Sequence, residues 1–521
     1  MAAQNTAITD TAPAGTPGSP TGRQWLALAV LVFSQLAVWL DNTVLNVALK
    51  TLADPDEGLG ASPNQLQWSI SSYTLVFAVL LFTGGVLADR YGHRNLLLTG
   101  MLVFGGASAW AGYAGSATEL IVARGAMGVG SALIMPATLA LIAQVFDERH
   151  RATAIAIWSG SSGIAIATGP MLSGALLDHF WWGSVFLVNV PIVVLCVAGS
   201  LVFLPGAAAK VRQKFDPLGV LLSTVGLFAV VWAVIEGGHR NDWNDPAILG
   251  AFAVGAVLVL VFVLVELRVA NPSFDVRLFR NRRFTGASVA VMLTFFGLNG
   301  SMYYTSFYLQ GVHRQTPLEC GMSIAPVAIG VLLGAPLSAK LVRAYGVRAV
   351  VGVAMVIATV GFFAYVFLDE HSGLGLFWVF LILQGLGMGA AVAPTTETII
   401  SVLPEDRTGA GSAVNNAMRQ IGGVLGVAVL GSVLAGVYRG EITPKLDGLP
   451  PGAADAAEES PEATRLIADR LRMPRLSDFA DQGFVHAMHV AAVIGAIAAA
   501  VGAVIIWWTF RRASSYAEST R

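Results

Sequence analysis

Long apolar runs separated by short polar turns divide this chain, and the runs number about fourteen, each reaching the ~20 residues a helix needs to cross a ~30 Å hydrocarbon layer. Only 12% of the residues are charged and 55% are hydrophobic. A soluble chain of this size carries about twice that charged fraction. The chain therefore reads as an all-α polytopic membrane protein. Expected spans are 24–46, 65–88, 95–115, 118–146, 152–176, 183–204, 216–236, 246–268, 284–310, 320–342, 347–368, 374–400, 409–435 and 484–510.

An even number of crossings puts both ends on one side, and basic residues say which side that is. Loops on the terminal side hold Arg23, Arg90, Arg94, Arg149, Arg151, Arg280, Arg283, Lys340, Arg343 and Arg348, among others. The short opposite loops hold Lys50, Arg240 and Arg314. Both termini are thus expected in the cytoplasm. Residues 1–22 are mostly small and uncharged, cannot bury a core, and are expected to be a disordered cytoplasmic tail; 512–521 is expected to be a cytoplasmic tail. Residues 437–483 form a long acid-rich segment whose amphipathic stretch near Glu462 to Arg472 suggests a partly helical exterior flap, a solvated exterior loop being the preferred reading. Cys196 and Cys320 fall far apart in this topology, so no disulfide is expected.

An internal repeat organises the spans. Tyr91-Gly92-His93-Arg94 returns as Tyr345-Gly346-Val347-Arg348, and Pro136 has a counterpart in Pro394. The expected plan is a six-helix bundle over 23–205, an inserted pair of helices with linkers over 206–283, and a second six-helix bundle over 284–511. Parallel repeats of this kind occur in transporters.

The turn Gly85-Val86-Leu87-Ala88-Asp89-Arg90-Tyr91-Gly92-His93-Arg94 resembles the loop signature of the major facilitator superfamily, with each defining position present. Fourteen spans resemble its drug:proton antiporter branch. The resemblance implies the major facilitator fold, with two six-helix bundles plus two inserted helices. It also implies a conformational latch at Gly85, Asp89, Arg90, Gly92 and Arg94. Topology marking by the arginines alone is the other reading of that loop.

Ionisable side chains inside spans are functional candidates because burying them in hydrocarbon is costly. Asp41 in the first span and Arg124 in the fourth come out at about the same depth, at a ~1.5 Å rise per residue. Burial favours the neutral form of a carboxylate and a nearby guanidinium favours the charged form, so such a group can gain and lose a proton. Leu40-Asp41-Asn42-Thr43-Val44-Leu45-Asn46 and Ala123-Arg124-Gly125-Ala126-Met127-Gly128 resemble the first- and fourth-span signatures of the fourteen-span family. That likeness implies proton coupling at Asp41 and Arg124, with a static ion pair as the alternative. Lys50 stands where the family often has proline.

Gly169-Pro170-Met171-Leu172-Ser173-Gly174 resembles the antiporter motif of the fifth span, and Gly169, Pro170 and Gly174 are its matching positions. Small residues there allow close helix approach. Trp181 to Pro191 resembles the start of the sixth span in the multidrug branch, with no chemistry attached to it. Arg419 falls near the membrane middle of the thirteenth span, and the ninth span carries an aromatic set with Asn299, Tyr303 and Phe307. With Asn42, these are the substrate-cavity candidates, an interfacial aromatic set being the other reading. His486 and His489 are expected to be exposed at the outer surface.

The expected function is proton-coupled export of drugs or antibiotics across a bacterial cytoplasmic membrane. An uptake symporter for a small metabolite is the alternative. Expected partners are a small-molecule drug or antibiotic, protons and the lipid bilayer, with no nucleic acid. No His-Glu-x-x-His, Gly-x-Ser-x-Gly or phosphate-binding loop is present, so neither an enzyme nor a cofactor or metal is expected.

Overall fold

Helix ends coincide with side-chain caps in the sequence. Thr21 accepts from the Gln24 amide, Ser62 from Gln65 with Pro63 following, Ser116 from Glu119, and Asp147 from His150. Each satisfies an amide that the first helical turn leaves without a carbonyl. The computed structural model describes residues 21–206, 217–240, 242–269, 276–401, 408–447 and 449–510. They form α1 (Gly22–Ala53), α2 (Pro63–Tyr91), α3 (His93–Gly112), α4 (Ala117–Val145), α5 (Glu148–His179), α6 (Ser184–Leu187), α7 (Asn189–Phe203), α8 (Pro217–Arg240) and α9 (Pro246–Glu266). There follow α10 (Arg282–Phe307), α11 (Pro317–Ile324), α12 (Pro326–Phe363), α13 (Leu374–Ser401), α14 (Thr408–Ile442), α15 (Pro451–Glu459), α16 (Pro461–Leu471) and α17 (Pro474–Thr509). No strand occurs among the described residues. Eleven helical segments there are long and apolar enough to cross a membrane.

Two glycines carry the repeat into the backbone. Gly92 between α2 and α3 has φ 91° and ψ 132°, and Gly346 inside α12 has φ 77° and ψ 158°. A side chain disfavours this region, so glycine makes the sharp reversal possible. At Gly346 the chain folds back, because Gly330 and Gly334 before it and Ala354 and Ala358 after it all face the same stretch of α13, residues 382–390.

Packing divides into two sets. α1 to α7 pack mainly on one another, as do α10, α12, α13, α14 and α17, while α11 leans mainly on α5 across the divide and α8 and α9 pair together and reach α2 and α14 through α8. Only 11% of the most apolar stretch of α9 is buried, against 67% for α1, so α9 lies at the periphery. The face holding the start of α1 also holds the end of α17, because Lys50 at the far end of α1 meets Gln310 at the far end of α10, and Thr509 faces Gly286 near the start of α10. We call this the terminal face and its opposite the distal face.

Among the described residues, the hydrogen bonds joining the two sets lie on the distal side. Lys50 Nζ donates to the Gln310 carbonyl at 2.8 Å, and Gln310 Nε2 returns a bond to the Val47 carbonyl at 2.8 Å. Gln310 sits in a π-turn over Tyr308–Val312, an irregularity that exposes backbone for such contacts. Tyr303 Oη donates to the Pro63 carbonyl at 3.5 Å.

Two expectations need correcting. The segment 437–483 is not a solvated loop: α14 runs on to Ile442, α17 begins at Pro474, and α15 and α16 fold between them. Tyr438 and Thr464 share a 2.6 Å hydrogen bond, and Arg465 is 7% exposed, held by Glu462 at 2.8 Å and Asp481 at 2.6 Å. An amphipathic helix buries its apolar face when a partner is at hand, and α17 supplies one. His489 is not exposed either; its Nε2 lies 2.7 Å from the Leu368 carbonyl. His486 is exposed and sits 3.5 Å from Glu441. The tail segments 1–20 and 511–521 lie outside the described residues.

Candidate functional site

Asp41 and Arg124 meet. α1 and α4 bring them to one depth, and Arg124 Nη1 donates to Asp41 Oδ2, with the two residues 2% and 1% exposed. A buried charge pair is stable only when its remaining donors and acceptors are also met. Here they are drawn from several helices. Asn189 Nδ2, at the start of α7, donates to Asp41 Oδ1 at 3.3 Å and is 3.1 Å from Ser108 Oγ on α3. Ser108 in turn donates to the Phe186 carbonyl of α6 at 2.8 Å. Arg124 Nε donates to the Ser69 carbonyl of α2 at 3.0 Å, and its guanidinium carbon lies 4.3 Å from the centre of the Tyr73 ring. Tyr73 is pinned by its hydroxyl, 3.2 Å from the Val38 carbonyl and 2.9 Å from Ser131 Oγ.

A desolvated cation over an aromatic face contributes about 2 kcal/mol. The cluster thus ties α1, α2, α3, α4, α6 and α7 to one ionisable pair. Removing the carboxylate charge by protonation would release Arg124 from its only anionic partner among the described residues.

Sequence reasoning named Asp41 and Arg124 but attached no chemistry to Asn189, Tyr73 or Ser108. For Asn189 a signal existed: it is the one strongly polar side chain in the run Val185 to Val197. Tyr73 and Ser108 gave none, since aromatic and small hydroxyl residues are common in membrane helices.

The fifth-span motif lies on a seam. On one side Gly169 faces Thr43, whose Oγ1 donates to the Ala165 carbonyl at 3.3 Å, and Ser173 Oγ donates to the Val44 carbonyl at 2.8 Å. On the other side a Cβ at Gly174 would sit 2.5 Å from the Pro317 carbonyl oxygen, and Gly321 of α11 faces the Pro170 carbonyl. The motif therefore packs α5 against both helix sets at once.

Of the loop signature, Gly92 supplies the turn described above and Gly85 faces open space. Arg94 Nη2 donates to the Leu201 carbonyl near the end of α7 at 2.7 Å, inside the first set. The side chains of Asp89 and Arg90 lie outside those described.

The substrate-cavity candidates separate into two places. Tyr303 and Phe307, 3% and 6% exposed, stack at 5.4 Å on the distal side. There they line a cavity of about 400 Å³ with Lys50, Leu66, Tyr438 and Glu462. Asn299 and Arg419 lie elsewhere: Asn299 Nδ2 donates to the Phe295 carbonyl at 3.1 Å, and the guanidinium carbon of Arg419 lies 5.2 Å from the Phe295 ring centre. Asn42 is partly buried beside Asp41, its carbonyl accepting from Asn46 at 3.3 Å.

The family model described as Major Facilitator Superfamily matches residues 31–427. The chain is 34% identical over 505 residues to the multidrug efflux pump LfrA of Mycolicibacterium smegmatis, covering 96% of this chain and 99% of that protein. It is 31% identical to the tetracenomycin C resistance and export protein of Streptomyces glaucescens, over 95% of this chain and 94% of that one. Among solved structures, a bacterial homologue of the human lysosomal transporter Spinster superposes with a TM-score of 0.66 at 19% identity, over 95% and 98% of the two chains.

Proposed function

The chain belongs to the major facilitator superfamily, and on that footing we propose that it exports drugs or antibiotics across a bacterial cytoplasmic membrane in exchange for protons. The buried Asp41–Arg124–Asn189 cluster, in a chain related to drug exporters along nearly its whole length, carries this reading.

The membrane plan is fourteen crossings. The eleven apolar segments become fourteen when α2 and α5 are added and the segment Pro317–Phe367 is divided at Gly346. Two six-span bundles flank the inserted pair α8 and α9, and the basic loops place the terminal face in the cytoplasm. The contacts joining the helix sets on the distal side then close the outer face, leaving the carrier to load from within.

In the cycle, Asp41 in its charged form holds Arg124, and the helices around it stay drawn together. A proton arriving from outside neutralises Asp41, frees Arg124, and loosens the contacts among α1, α4 and α7. The drug leaves outward at that stage, and loss of the proton inward restores the pair. An ion pair with a polar relay at membrane depth suits this exchange, since such groups commonly mark proton paths. The seam at Gly174 and Gly321 is the surface over which the two bundles rock.

The test is accumulation of ethidium inside inverted membrane vesicles, where export runs into the lumen, under an imposed pH gradient, for the native chain and Asp41→Asn. Gradient-driven transport by the native chain that vanishes in the variant is the expected result. Transport that survives Asp41→Asn places coupling elsewhere, and proton-driven flux in the opposite direction replaces export by symport.

A further inference from the structure

Arg419 differs from Arg124 in one respect that matters: it has no carboxylate. Eleven residues into α14, it lies ~16 Å from the helix start and inside the apolar span Val414–Lys445. Among the described residues its single hydrogen bond goes from Nη2 to Thr396 Oγ1 at 3.3 Å, and no charged group acts on it. Its Nε is buried without an acceptor. A guanidinium has five N–H donors in a fixed fork, so most of this one's capacity is unused. Thr396 does not swing freely, because its hydroxyl also lies 3.3 Å from Asn415 Oδ1.

Leaving a cation without an anionic partner inside a membrane span is costly, and one hydrogen bond and the Phe295 ring offset that cost only in part. The neighbouring groups are arranged as a binding patch. Phe295 presents its ring 5.2 Å from the guanidinium carbon. One turn along α10, Asn299 uses its Nδ2 on the Phe295 carbonyl, which leaves Oδ1 without a protein donor among the described residues. Across from Asn299, α14 has Gly423, where a Cβ would come within 3.1 Å of the amide nitrogen. A fork to donate and an amide oxygen to accept thus stand near each other, with the buried Phe295 ring behind the guanidinium.

We propose that Arg419 anchors an acidic oxygen of the cargo, so that the preferred cargo bears a carboxylate, phenolate or enolate. This rests on the drug-export reading and narrows its substrate class. An anion there supplies the counter-charge that the protein omits, whereas a dication meets an uncompensated positive site. Bidentate pairing with a flat acid also uses the geometry that distinguishes arginine from lysine.

The test uses the full chain in lipid nanodiscs, with no gradient, and three probes: anthraquinone-2-carboxylate, anthraquinone-2-carboxamide and ethidium. The native chain is expected to bind the carboxylate at least about tenfold more tightly than the carboxamide. Arg419→Gln abolishes that preference while ethidium binding is retained, and Arg419→Lys keeps part of it. Equal binding of the two anthraquinones by the native chain overturns the proposal without any variant, and so does a preference that survives Arg419→Gln. Gradient-driven accumulation of anthraquinone-2-carboxylate in inverted vesicles, measured separately, tests export itself. If it is absent while the carboxylate preference holds, the export reading fails and the anion site stands.

Discussion

Asn189 donates to Oδ1 of Asp41 while Arg124 holds Oδ2, so both oxygens of this buried carboxylate are met by protein donors on different helices. The charge of Asp41 is therefore registered at α4 and α7 together. Hydrogen bonds to a charged group contribute about 1.5–3 kcal/mol each. Asn189→Ala is expected to slow gradient-driven efflux by about tenfold, while Asp41→Asn abolishes it. Initial rates at matched protein levels decide the matter; a native rate for Asn189→Ala would make the amide a packing group.

Tyr73 separates a packing role from a polar one. Tyr73→Phe keeps the ring against Arg124 and loses the bonds to Ser131 and Val38, so a loss of about 1 kcal/mol is expected. Tyr73→Ala also opens a cavity in a fully buried site and should lower stability by about 3–5 kcal/mol. Thermal unfolding of the purified protein ranks the two, and equal melting temperatures would contradict the cation–ring contact.

Gly174 has no room for a side chain against the Pro317–Leu318 backbone. Gly174→Val is expected to keep α5 and α11 apart and hold the carrier open on the distal side, with transport reduced at least about tenfold. Spin labels on the distal ends of α1 and α10 should show the native short distance lost. An unchanged distance distribution would mean that this seam does not govern closure.

His313 sets a pH dependence on the distal face. Its half-buried ring packs on Tyr308 at 4.7 Å, and burial pulls its pKa below the usual 6.5, outweighing the upward pull of Asp369 and Asp481, while His371 also lowers it. The folded ring is therefore the weaker base, and the opened or unfolded ring takes up the proton first. Stability from this contact is complete above about pH 6.5 and is lost progressively as pH falls below it. The fall in melting temperature from pH 8 to pH 5.5 should be smaller in His313→Phe than in the native chain; identical falls would refute the assignment.

Arg465 fastens α16 to α17 by bridging Glu462 and Asp481, and is itself buried. Arg465→Met strands Glu462 and leaves Asp481 with its 3.2 Å pair to the exposed Arg314, and breaking one partner of a buried pair costs about 3–5 kcal/mol. Protease cleavage within residues 451–471 is expected to quicken by at least about tenfold, with the rest of the chain intact. Cleavage no faster than in the native chain would show that apolar packing alone holds the flap.

Several features were legible in the sequence because each depends on a short stretch of residues. Apolar run length marks membrane helices, since an unpaired backbone cannot face lipid. Gly92 and Gly346 announced the same reversal in two places, and the structure gives both the positive φ that glycine allows. Asp41 and Arg124 stood out because charge is scarce in such runs. Depth along a helix is simple arithmetic, and it brought the two to one level.

What only the tertiary structure decided is which side chains converge across helices distant in sequence. Asn189 lies 148 positions from Asp41, and no local pattern states that α7 turns its first residue toward α1. The flap was misread for the same reason: an amphipathic stretch such as 461–471 is soluble by itself, and its burial depends on α17 standing beside it. Arg124 and Arg419 are both arginines in apolar helices, alike as sequence. They differ because one was folded against a carboxylate and the other against a ring and a threonine, and the low dielectric of the interior makes that difference large.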